Sequence, residues 1–189
     1  MIAHGACPWW LGYFLASPIR KWIEVKDPEA LLRPYIKPDM AVFEPGPGMG
    51  FFTLPAAKLV GPSGRVIAAD IQPQMLNALR NRAAKAGLLS RIETRLVGPY
   101  SLGAEDLEGK IDFVLAWAMV HELPSPDNFF AEAAATLKPG GFLLFAEPHG
   151  HVDAAHFAVE LEAARLAGLS EVSRPLVRRS HAVLLSKNL

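Results

Sequence analysis

The chain has little that would staple, anchor or charge it. One cysteine, Cys7, excludes an internal disulfide framework and fits a reducing compartment. No apolar run is long enough to cross a bilayer. The apolar stretch 6–16 has no basic segment before it, so no signal peptide is expected. Lys+Arg and Asp+Glu are equal at 19 each, which removes the electrostatic case for a nucleic-acid partner. No repeat and no low-complexity block is visible. The expectation is a cytoplasmic protein without membrane or nucleic-acid partners, a monomer or a homodimer. At 189 residues, 51% hydrophobic and 20% charged, the composition suits one compact α/β fold with a buried sheet.

Punctuation divides the chain. Residues 1–38 form an aromatic preface, with Cys7-Pro8-Trp9-Trp10 and Tyr13-Phe14 early in it. Its clustered rings suit a lid over a site, a helix packed on the core, or a dimer patch, and we read it as a lid. Asp27-Pro28 predicts an N-cap and a proline-led helix start. Residues 39–189 form the main domain. Short apolar runs predict strands at 41–44, 65–69, 92–96, 111–116, 141–146 and 182–186. Helical patterns fall at 51–60, 73–86, 128–137 and 154–167, with turn signals at 61–64, Gly87 and 138–141. Such alternation predicts a doubly wound, mostly parallel sheet. Residues 169–186 suit two strands and an antiparallel edge.

The segment Val42-Phe43-Glu44-Pro45-Gly46-Pro47-Gly48-Met49-Gly50-Phe51 carries the most chemistry. It reads as strand, tight loop and helix start. Glycines let a ligand approach the backbone. The pattern is G-x-G-x-G, with Phe51 where a dinucleotide fingerprint would place its third glycine. Glu44 would repel a pyrophosphate and attract ammonium, sulfonium or ribose hydroxyls. Asp70 closes the second strand, where an acid accepts from ribose hydroxyls. Its alternative role, capping the helix after Pro73, is weakened by the intervening Ile71-Gln72.

These residues resemble motif I of the class I S-adenosylmethionine-dependent methyltransferases (methyltransferase type 11-like). Ile111-Asp112-Phe113-Val114-Leu115-Ala116-Trp117 is similar to motif IV of that family. Val120-His121-Glu122-Leu123-Pro124 and Leu137-Lys138-Pro139-Gly140-Gly141 resemble the segments that follow it. The matches cover about residues 40–148. The resemblance implies an α/β Rossmann-like sheet of seven strands in the order 3-2-1-4-5-7-6. It implies S-adenosyl-L-methionine as methyl donor, with Glu44, Gly46, Gly48 and Gly50 at its methionine end. Asp70 then meets the ribose and Ile71 lies beside the adenine. The family often has an acid after the third strand that meets the adenine amino group. This chain has Val97-Gly98-Pro99-Tyr100, with no acid there, so either Tyr100, by stacking or a hydrogen bond, or backbone groups near Gly98 would take that place. The aromatic face of Trp117 would stabilise the sulfonium.

Open α/β sheets bind ligands beyond the carboxyl ends of their strands. His121, Glu147 and His149 fall there, and are the candidate catalytic residues. His121 is the first choice as base, because imidazole titrates near neutrality. Glu122 and His151 share these loops. With His4 and Cys7 such residues would suit zinc, yet their spacing matches no compact motif and no metal is assigned. The expected activity is methyl transfer to a small molecule. Two alternatives remain: a non-catalytic S-adenosylmethionine-binding regulatory or partner module, and a nicotinamide-dependent reductase, which Phe51 and Glu44 oppose.

Overall fold

The computed structural model describes residues 25–188. The aromatic preface up to residue 24, with His4 and Cys7, lies outside the described residues. Of the described part of that preface, residues 25–38, the apolar Val25, Leu32 and Ile36 are buried.

Seven strands form one sheet. They are β1 (Ala41–Pro45), β2 (Arg65–Asp70), β3 (Ile92–Leu96), β4 (Ile111–Trp117), β5 (Leu137–Pro148), β6 (Leu169–Ser173) and β7 (Ser180–Lys187). Their order is β3-β2-β1-β4-β5-β7-β6, as the resemblance implied. The first five pair in parallel; β7 pairs antiparallel with β5 and β6. Every residue of β1 is buried, which suits the apolar Ala41-Val42-Phe43 that leads into Glu44.

The helices are α1 (Pro28–Leu32), α2 (Thr53–Leu59), α3 (Pro73–Lys85), α4 (Pro126–Thr136) and α5 (Ala154–Leu166). Strand pleating sends alternate side chains to two separate cores. One gathers Val42, Val66, Phe113, Leu144 and Leu184 with Leu32 of α1, Ala57 of α2 and Leu79 of α3. The other gathers Phe43, Ile67, Val114, Phe145 and Val183 with Phe130 of α4 and Phe157 of α5. Among the described residues no helix is long and apolar enough to cross a membrane.

Local chemistry sets the boundaries. Asp27 caps α1 by accepting from the Ala30 N–H at 3.0 Å, as the Asp-Pro pair predicts. α4 begins two residues before the expected 128, because Ser125 accepts from the Asn128 N–H at 3.2 Å and Pro126 takes the first helical position. β5 begins at Leu137, four residues before the expected strand. The turn signal at 138–141 is nevertheless real: pairing with β4 passes from Ile111–Leu137 directly to Phe113–Phe142. The intervening residues form an irregularity, with Gly140 at φ +74°.

Candidate functional site

The carboxyl ends of β1, β2, β4 and β5 converge on one rim of the sheet. The glycine loop forms its centre. Gly46 N–H donates to the Ala69 carbonyl at 2.9 Å and Gly50 N–H to the Pro47 carbonyl at 2.9 Å. Arg82 of α3 donates to the Met49 carbonyl at 2.7 Å. Gly50 holds φ +85°, and a Cβ there would lie 2.4 Å from Leu79 Cδ1. Only glycine lets the loop close on α3. A Cβ on Gly48 would meet nothing within 4 Å, so the loop faces open space there.

Two carboxylates sit beneath this loop. Glu44, 4% exposed, accepts from Thr53 Oγ1 at 2.7 Å and so joins the end of β1 to the start of α2. Asp70 accepts from Gln72 N–H at 2.8 Å and from Gly48 N–H at 3.3 Å. It therefore steadies the loop, and Gln72 holds the N-cap position of α3 without a side-chain cap bond. Burial raises the Asp70 carboxyl above its ordinary range; the Gln72 and Gly48 bonds oppose the shift, and the charge of Glu122 adds to it. A buried acceptor in that state is served by hydroxyl donors and harmed by phosphate.

Ile71 lies half-exposed at the rim beside Asp70. Gly98, Tyr100, Leu102, Leu123, Asn128 and Glu132 line a neighbouring cleft of about 60 Å³. Tyr100 is 79% exposed. Glu132, which the sequence reading missed, shapes this cleft by accepting from Leu102 N–H at 2.8 Å. Trp117 lies in the core beneath the rim, its ring 4.7 Å from that of Phe52.

The acid–base residues separate into two groups. Glu147 is fully buried at the end of β5. It accepts from Val120 N–H at 2.8 Å and His121 N–H at 3.3 Å, and bonds His121 Nδ1 at 2.5 Å. A carboxylate at Nδ1 keeps a proton there and leaves Nε2 as the basic atom of the neutral ring. Burial alone would lower the His121 pKa, but the Glu147 bond and charge, helped by Glu122 and Glu160, raise it overall. The His121 ring stacks on His151 at 5.2 Å. His149 is exposed and stands apart, its ring 4.2 Å from His181.

Among the described residues no group of three His, Cys, Asp or Glu side chains is arranged to hold a metal ion. A further acid was not singled out from sequence. Glu160 of α5 is buried, its Oε2 lacks a partner, and burial with the charge of Glu147 pushes its carboxyl up to about 7. The available signal was an acid within the apolar stripe Phe157-x-x-Glu160-x-x-Ala163-Ala164.

Comparison with known proteins bears on the family and the fold. A model of the methyltransferase domain family matches residues 42–141, slightly more than half the chain. The chain is 33% identical over 114 residues to a ribosomal protein L11 methyltransferase of Pelotomaculum thermopropionicum, covering 60% of this chain and 34% of that protein. It is 30% identical over 112 residues to a ubiquinone/menaquinone biosynthesis C-methyltransferase, UbiE, of Hydrogenovibrio crunogenus, covering 59% and 43%. The chain thus matches less than half the length of these curated relatives. A crystal structure of a SAM-dependent methyltransferase from Aquifex aeolicus superposes with a TM-score of 0.83 at 24% identity, covering 96% of this chain and 99% of that one. That likeness concerns the fold.

Proposed function

The chain belongs to the methyltransferase domain family, and we propose that it is an enzyme that methylates a small molecule, with S-adenosylmethionine as donor and His121 as base. The observation that carries the reading is the His121–Glu147 pair, its carboxylate fully buried and its imidazole half-buried, at the same strand-end rim as the glycine loop.

The residues present fit the donor. The open face at Gly48 admits a ligand to the backbone. Asp70 suits ribose hydroxyls as an acceptor-only group, and Ile71 offers an apolar surface for the adenine. Gly98 and Tyr100 border the cleft next to it. Glu44 supplies negative charge under the methionine end, and Gly46 and Gly50 shape the turn. Trp117, packed on Phe52, gives that end an aromatic floor. When bound, the sulfonium supplies an electrophilic methyl and a neutral thioether leaving group.

The protein's own work is alignment and proton transfer. Rigid placement of the acceptor along the methyl–sulfur axis removes the entropy of encounter. As the acceptor's nucleophilic atom bonds the methyl carbon, its proton passes to His121 Nε2. Glu147 then faces an imidazolium, which its buried carboxylate stabilises. His149, exposed beside His181, would contact the outer part of the acceptor. Equal acidic and basic counts argue against nucleic acid as acceptor. The same balance and the single cysteine suit a cytoplasmic monomer or homodimer.

His121→Ala should lower kcat by about a hundredfold or more, the usual worth of a positioned base. The dissociation constant for S-adenosylmethionine, measured by calorimetry, should change little. Lost cofactor binding with unaltered turnover of bound enzyme would contradict the role. Tight cofactor binding with no transfer across an acceptor screen would favour the non-catalytic module.

A further inference from the structure

The loop after β5 divides two histidines between two neighbours. His149 turns its ring to His181 of β7, whereas His151 lays its ring on His121, centroid to centroid 5.2 Å with 24° between the planes. The backbone fixes where His151 stands. His151 N–H and Val152 N–H both donate to the Pro148 carbonyl at 3.0 Å, which folds the chain back over the end of β5. Val152 is buried in the same core as Phe157, and Asp153 then caps α5 by accepting from His156 N–H at 2.8 Å. His151 is thus anchored on both sides while its own side chain is exposed. The His121 side chain it covers is only 18% exposed.

An imidazole turns about its Cβ–Cγ bond over a broad torsional well, so contacts must set the direction of its ring. Glu147 holds one edge of His121, through Nδ1 at 2.5 Å. A single hydrogen bond tolerates a wide range of angles and leaves the ring plane loosely set. A flat ring against one face narrows that range, and 5.2 Å lies within the spacing of stacked aromatic pairs.

We propose that His151 is a positioning residue for His121: its ring holds the plane of the imidazole, so that Nε2 meets the acceptor, and shields the Nδ1–Glu147 bond from water. The proposal rests on the methyl-transfer reading above. When Nε2 takes the acceptor's proton, His121 becomes an imidazolium with a carboxylate at its edge and a π face beside it, and both favour the cation. His151 makes and breaks no bond in that step.

The test compares His151→Ala, which removes the ring, with His151→Phe, which keeps a flat ring without ionisable nitrogens. NMR of the free protein follows the His121 Nδ1–H proton held against Glu147. His151→Ala should speed its exchange with water about tenfold, and His151→Phe should restore protection. With S-adenosylmethionine and an acceptor found by screening, kcat should fall about five- to tenfold in His151→Ala, with KM for S-adenosylmethionine unchanged, and recover in His151→Phe. A lower Tm in His151→Ala with unmoved Nδ1–H exchange would mark a purely structural loop residue and overturn the proposal. So would a His151→Phe variant that recovers neither exchange nor kcat. Because the exchange is read on free protein, protection that depends on His151 without any methyl transfer would sink the transfer reading while the ring contact stands.

Discussion

At the residue scale, the buried acids divide by what they touch. Glu44 and Glu147 each hold close donors, Thr53 Oγ1 for one and His121 for the other. Glu160 has an oxygen with none, and this has a thermodynamic consequence. Its carboxyl titrates near 7 in the folded state, against an ordinary value of 4.5. Between those values the folded chain binds more protons than the unfolded chain, so stability falls as pH rises through the window. Glu160→Gln should remove that slope. The variant should be more stable than the parent by on the order of 3 kcal/mol at pH 8 and about equally stable at pH 4. Urea unfolding at the two pH values reads the difference; an equal gain at both would reject the titration as its cause. The sequence made His121 and Glu147 legible because both follow strand patterns, where ligands gather. It could not reveal Glu160, because helical spacing shows which side of α5 is buried but not that a carboxyl on that side has an oxygen without a hydrogen-bond partner.

At the element scale, the strand–loop–helix unit of β1 and α2 depends on close approach. Gly50→Ala would demand φ +85° of a residue with a Cβ, and would drive that atom into Leu79 of α3. The expected cost is about 2 kcal/mol or more. Gly48→Ala, with open space around its Cβ, should cost only the left-handed strain, about 1 kcal/mol. Denaturation midpoints of the two variants compare them, and equal losses would show that the Leu79 contact does not matter. Elements were legible where one signal ruled: the apolar run of β1, the Asp-Pro start of α1. Boundaries drifted where two signals competed. At 138–141 turn residues lie inside a strand that pairs on both sides of them, and only the β4 register reveals the irregularity.

At the scale of the whole molecule, alternating strands and helices announced a parallel sheet, but alternation alone does not order the strands. The resemblance supplied that order, and the structure agrees with it. A ligand that binds the folded chain alone must stabilise all of it. At a hundred times its dissociation constant, S-adenosylmethionine should add about 2.7 kcal/mol. That corresponds to a rise in Tm of roughly 5–10 °C for a chain of this size. NADH should leave Tm unchanged, and a comparable rise with NADH would revive the reductase reading. The sheet order also has a consequence for synthesis. β7 lies between β5 and β6 in space, yet follows both in the chain. A nascent polypeptide therefore presents the apolar β5 with one edge open until residue 187 has left the ribosome. At roughly 5–20 residues per second that interval lasts a few seconds. Throughout it, an unpaired edge awaits any strand, including that of a neighbouring nascent chain. Slower translation over residues 149–187 should therefore lower the yield of folded chain, which expression of variants with synonymous codons there would measure.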